Sequence, residues 1–168
     1  MYLISDASVL IDIEVGALTS FMFRLPYEFV VPDILFFEEL QDQHKHLLNF
    51  GLMVKSMDDF LITEAYRLRQ ENPRLSLNDL LALVLARNTH GLLLTGDKEL
   101  RTLAQNLAIE VHGTIWLANE ITKHTGIHYE TMCVAFDKMK NSGSRLPWSD
   151  VDRLLKALEN QSNLILEH

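Results

Sequence analysis

At 168 residues the chain is long enough for one well-cored domain and short for two, and 48% hydrophobic with 23% charged residues is the balance of a soluble globular protein. A net charge of −8 argues against a protein that coats nucleic acid through its overall charge, though not against a nuclease whose carboxylates bind a cation. One cysteine, Cys133, excludes an internal disulfide and fits a reducing, cytoplasmic setting, and no apolar run approaches the ~20 residues of a membrane span.

Tyr2-Leu3-Ile4-Ser5 reads as a short strand with Asp6 at its end. The N-terminus has no basic lead, and Asp6 and Asp12 interrupt its apolar run, so no signal peptide is expected. Ala17 to Phe23 suits a short helix ended by Pro26, and Phe29-Val30-Val31 makes a second strand closed by Pro32. Asp33 can cap the next helix, whose Ile34, Phe37, Leu40 and Leu47 recur at helical spacing and whose first turns carry Glu38 and Glu39. Leu52-Met53-Val54 is a third strand. Ser56 with Asp59 opens a helix that runs to about Gln70, before the Asn72-Pro73 break.

Ser76-Leu77-Asn78-Asp79 opens the next helix in the same way, and Leu80 to Ala86 is apolar nearly all round, so that helix should be buried. Gly91 to Leu94 is a fourth strand running through Thr95-Gly96 into Asp97, with a helical pattern after it, and Ile109-Glu110-Val111 is a fifth. From Thr114 the pattern is helical throughout: Ile115 to His124, His128 to Lys140, and a last helix that Ser149 and Asp152 should cap. Strands alternating with helices predict an α/β fold with a parallel sheet of about five short strands covered on both faces. The expected organisation is a single domain over 1–165, with a core of about 1–124 and a helical C-terminal extension of about 125–165. Residues 166–168 (Leu-Glu-His) read as a tag remnant.

Asp6 and Asp97 end strands, Glu38 or Glu39 lies early in a helix, and Asp79 lies in the first turn of another. In open α/β sheets ligands bind beyond the carboxyl ends of strands, and carboxylates are the ligands of hard divalent cations. Carboxylates gathered in one cleft repel one another without a cation, and metal-assisted phosphodiester hydrolysis needs such a cluster. Each acid also has a plainer reading: Asp79 as part of a helix start, Asp97 as a cap, Glu38 and Glu39 as solvated helix charges.

Four segments taken together are more specific. Ser5-Asp6-Ala7-Ser8-Val9-Leu10-Ile11, Val30-Val31-Pro32 with Glu38-Glu39-Leu40, Leu75 to Leu83, and Leu93-Leu94-Thr95-Gly96-Asp97 resemble the successive motifs of the PIN-domain family. Val111-His112-Gly113-Thr114 resembles its strand and turn after the last acid. The resemblance implies a three-layer α/β/α fold and a Mg²⁺- or Mn²⁺-dependent ribonuclease acting on RNA. Many relatives are the toxins of toxin–antitoxin pairs, so it also implies an antitoxin protein or a homodimer as partner. Carried over residue by residue, Asp6, Asp79 and Asp97 are the metal acids, with Thr95 or Ser8 as polar support. Counting from Pro32 favours Glu38 as the fourth catalytic acid, the Glu-Leu pairing favours Glu39, and Glu38 is preferred.

Arg67, Arg69, Arg74, Lys98 and Arg101 flank the same segments and could hold phosphates. His44-Lys45-His46 places two imidazoles on diverging helix faces, a poor zinc site. Cys133, Trp116 and Trp148 read as packing residues. The rivals are a catalytically inert PIN-like protein- or RNA-binding module and a phosphotransfer domain. A phosphatase wants a second aspartate where Ser8 stands, and a receiver wants paired acids by its first strand.

Overall fold

The computed structural model describes residues 1–166, with side chains through residue 162. Of the expected tag remnant, Leu166 ends a helix, and Glu167 and His168 lie outside the described residues. The short apolar runs are strands: β1 (Tyr2–Ser5), β2 (Glu28–Pro32), β3 (Met53–Lys55), β4 (Leu92–Leu94) and β5 (Val111–His112). They form a parallel sheet in the order β3-β2-β1-β4-β5. The chain thus builds outward from β1 to β3, then returns to place β4 on the other side of β1. That reversal is the topological switch point, and Ser5 stands opposite Leu94 across it.

Helices connect the strands: α1 (Ala7–Val15), α2 (Thr19–Met22), α3 (Asp33–Leu35) continuing through a π-helical turn (Phe36–Leu40) into α4 (Gln41–His44), then α5 (Leu47–Phe50). There follow α6 (Asp59–Glu71), α7 (Leu77–Thr89), α8 (Lys98–Asn106), α9 (Thr114–Thr125), α10 (Tyr129–Asn141) and α11 (Trp148–Leu166). As its all-apolar sequence predicts, α7 is buried from Leu80 through Ala86, packed on β1, β2 and β4. Among the described residues no helix is long and apolar enough to cross a membrane.

Several helix starts differ from the sequence expectation. The cap of α6 is Asp58, whose carboxylate accepts from Leu61 N at 2.9 Å, rather than Ser56. β3 runs to Lys55, so Ser56 still belongs to the extended exit from the strand. Pro32, not Asp33, stands at the N-cap of α3, and Asp33 instead accepts from Ile34 N (2.8 Å) and Met57 N (3.3 Å). α11 begins at Trp148, placing Ser149 inside the helix.

The chain divides into two compact units, with the boundary inside α1: Met1–Ile11 with Pro26–Gly113, and Asp12–Leu25 with Thr114 onward. The first holds the whole sheet. In the second, α10 packs on α11, and α9 packs on α2 and α11. Gly16 permits a close approach there, since a Cβ at that position would lie 2.5 Å from Met139 Cε. Asp12 is half-buried and accepts from Ser144 Oγ at 2.6 Å. Cys133 is half-buried rather than in the core.

Candidate active site

β1 ends at Ser5 and α1 starts at Ala7, so Asp6 occupies a sharp strand-to-helix handover. It is 3% exposed. Its Oδ1 accepts from Val9 N and Ser8 Oγ, both at 2.9 Å, which makes it the cap of α1. Its Oδ2 accepts from Thr95 Oγ1 at 2.6 Å. Burial raises the Asp6 pKa despite the opposing hydrogen bonds from Thr95, Val9, Ser8 and Gly96.

Across the switch point, β4 ends at Leu94 and the buried Thr95 follows. The Thr95 hydroxyl donates to Asp6 and accepts from Asp97 N at 3.0 Å, so one side chain ties the two strand ends together. Asp97 caps α8 through Oδ1, which accepts from Leu100 N at 2.8 Å. Asp79 sits in the first turn of α7, where its N–H donates to Ser76 Oγ at 3.1 Å and its carboxylate accepts from the Ser76 N–H. Burial raises the Asp79 pKa, the Ser76 bonds oppose the rise, and the charges of Asp6 and Asp97 add to it. The plain roles of these acids as helix starts and their mutual electrostatic coupling therefore hold together. The positive ends of α1, α7 and α8 offset part of the repulsion.

Glu39 feels the charges of the other acids, Glu38 included. Burial raises its pKa first, opposed by a hydrogen bond from Asn78, and the charges of Asp79, Asp6 and Glu38 raise it further. Glu38 accepts from Asn78 Nδ2 at 2.9 Å, and both glutamates are exposed. Both glutamates lie in the π-helical turn at Phe36–Leu40, which inserts extra backbone into one turn.

Asn78 is a site residue that the sequence reading did not single out, although it lies beside Asp79. Its Oδ1 is buried with no hydrogen-bond partner, the one such side-chain atom among the described residues. Of the basic candidates, Arg67 is paired with Glu64 and Glu71, Arg74 with Glu99, and Arg101 donates to the Thr95 carbonyl. Arg69 and Lys98 are exposed.

Thr95→Val tests the tie at the centre of the site. It removes a donor to a buried carboxylate and an acceptor for Asp97 N, with an expected loss of about 3 kcal/mol of unfolding free energy in urea titration. Thr95→Ser keeps both bonds and loses only a methyl group, about 1 kcal/mol. Equal losses in the two variants would show that the hydroxyl is not what matters.

A family model described as a PIN domain matches residues 2–160. The chain belongs to the PIN domain family. PIN domains are generally nucleases and typically use divalent metals. Among solved structures, this PIN domain is similar to a PilT N-terminus domain protein from the archaeon Sulfolobus solfataricus P2. The two share 12% identity over 76% of this chain and 97% of that one, with a TM-score of 0.46. No curated protein matches the chain.

The PIN-domain residues present here suit a hard divalent ion on two observations. Asp6, Glu39 and Asp79 all have raised pKa values, from burial first. The second is the buried, unpartnered Asn78 Oδ1, an acceptor that a cation or its water would satisfy. Among the described residues no three His, Cys, Asp or Glu side chains are grouped so that they could hold a metal ion between them.

Proposed function

We infer that this PIN domain is a Mg²⁺- or Mn²⁺-dependent endoribonuclease. The observation that carries the reading is the coupling of Asp6, Glu39, Asp79 and Asp97 at the switch point of the sheet. Asp6, Asp79 and Asp97 would supply the negative charge that holds the ion. When bound, the ion neutralises charge on the scissile phosphate and makes a water easier to deprotonate. Glu39, whose proton affinity is raised, accepts the proton of the attacking water on a carboxylate oxygen. Glu38 fixes Asn78 Nδ2, and Thr95 and Ser8 hold the Asp6 carboxylate in one orientation.

With a net charge of −8, general attraction for RNA is weak, so recognition depends on local cations and on folded RNA shape. The reading extends to a cytoplasmic toxin restrained by an antitoxin protein, with a homodimer as the alternative assembly. A groove of about 350 Å³ lined by Phe36, Phe37, Leu48 and Val54, on the helical segment that carries Glu39, supports a protein partner.

Purified protein should cleave RNA only with Mg²⁺ or Mn²⁺ present, and Asp6→Asn should not cleave. Structured RNA should be cut faster than single-stranded homopolymer. Metal-independent cleavage, or equal rates for wild type and Asp6→Asn, would refute the assignment. RNA binding without cleavage under any metal would make the protein a binding module.

A further inference from the structure

An acidic chain can hold an RNA strand only where a cation is fixed in place and not already neutralised. Most arginines of the sheet-bearing unit fail the second condition. Arg67 is taken by Glu64 and Glu71 at 3.0 and 2.9 Å, Arg87 by Glu64 at 2.7 Å, and Arg74 by Glu99 at 3.3 Å. Arg101 differs. Its Nη2 donates to the backbone carbonyl of Thr95 at 3.1 Å, and among the described residues no carboxylate pairs with it. A carbonyl fixes a guanidinium without cancelling its charge.

The seat is shaped by a second residue. A Cβ at Gly113 would stand 2.8 Å from Arg101 Nη2 and 3.2 Å from the Thr95 carbonyl oxygen, so a side chain there would push the guanidinium from this position. The seat lies on the residue that ties Asp6 to Asp97. Arg101 N donates to the Asp97 carbonyl at 3.0 Å, which places Arg101 one turn of α8 beyond Asp97. Thr95 is gripped from two directions, its carbonyl by Arg101 and its hydroxyl by Asp6.

We propose that Arg101, seated on the Thr95 carbonyl and over Gly113, binds a backbone phosphate of the RNA strand beside the scissile bond. The proposal rests on the nuclease reading and adds a substrate contact to it. Guanidinium offers five N–H donors in a planar fork that matches phosphate oxygens, and one of them is spent on Thr95. A lysine could supply the charge but not the fork.

The test measures binding of a fluorescently labelled RNA hairpin in Ca²⁺ across a salt series, alongside steady-state cleavage in Mn²⁺. Arg101→Gln should weaken binding about ten- to a hundredfold at low salt. It should also flatten the slope of log affinity against log salt by about 0.7–1. KM should rise by the same factor while kcat holds. Arg101→Lys should keep the salt slope and lose part of the affinity, and Gly113→Ala, which displaces the guanidinium, should behave similarly. Arg67→Gln should change neither quantity, and thermal melts verify that each variant folds.

An unchanged salt slope in Arg101→Gln, with kcat lowered instead, would reduce Arg101 to a support for Thr95 and overturn the proposal. If wild type binds RNA without cleaving it and Arg101→Gln loses the slope, the nuclease reading fails and the phosphate contact stands. If wild type binds no RNA, both fall.

Discussion

Asp79→Asn should lower metal-dependent RNA cleavage by about 10²–10⁴-fold while leaving the protein at least as stable as wild type. The two halves of that expectation have one cause. Asp79 is held where burial opposes its ionisation and the charges of Asp6 and Asp97 oppose it further. At neutral pH the ionised form therefore destabilises the folded chain, and asparagine removes that penalty. Its amide oxygen can still accept from the Ser76 N–H, so the start of α7 is preserved. In catalysis the lost charge weakens the hold on an ion worth several kcal/mol of transition-state stabilisation, and each 1.36 kcal/mol is tenfold in rate. Cleavage assays and urea titrations on the same preparation check both. Loss of activity with a matching loss of stability would mean that Asp79 serves only to start its helix.

Mn²⁺ should raise the melting temperature of the wild type by roughly 5–10 °C at a hundredfold excess over Kd. Binding to the folded state alone contributes about 2.7 kcal/mol there, and a chain of this size gains roughly 2–4 °C per kcal/mol. The pH dependence fixes the origin of the effect. Asp6, Glu39 and Asp79 have folded pKa values above their ordinary ones. Without metal, the stability these groups contribute is fully present below the ordinary carboxylate range and is lost as pH rises through their raised values. A cation needs the deprotonated forms, so its stabilisation grows across the same window. The difference between melts with and without Mn²⁺ should thus be near zero in acid and largest at neutral pH. Asp97→Asn should abolish most of the shift, whereas the exposed Glu159→Gln should keep it. The same shift in wild type and Asp97→Asn would show that these acids do not form a metal site.

The sequence by itself determined the local pieces. Leu3-Ile4 and Leu92-Leu93-Leu94 are too short and too apolar for anything but buried strands, and a carboxylate just after each could start the following helix. Ser76 with Asp79 declared the start of α7, and its unbroken apolar run declared the burial of that helix. Such signals depend on residues within one turn of each other, which is why they survive without tertiary context. At α6 the expected start at Ser56 directly follows β3, whose pairing with β2 runs to Lys55, and the cap falls on Asp58 instead.

The rest needed the tertiary structure. Only the strand order β3-β2-β1-β4-β5 puts β4 beside β1, and with it Thr95 within 2.6 Å of an Asp6 that lies 89 positions away in sequence. The π-helical turn that carries both Glu38 and Glu39 is likewise something 3.6-residue counting cannot anticipate. The seat of the Arg101 guanidinium turned on a backbone carbonyl, which leaves no mark on residue type. Hydrophobic pattern and capping chemistry are written residue by residue, whereas the pairing of distant strands and the partner of a charged side chain are decided by the packing of the whole sheet.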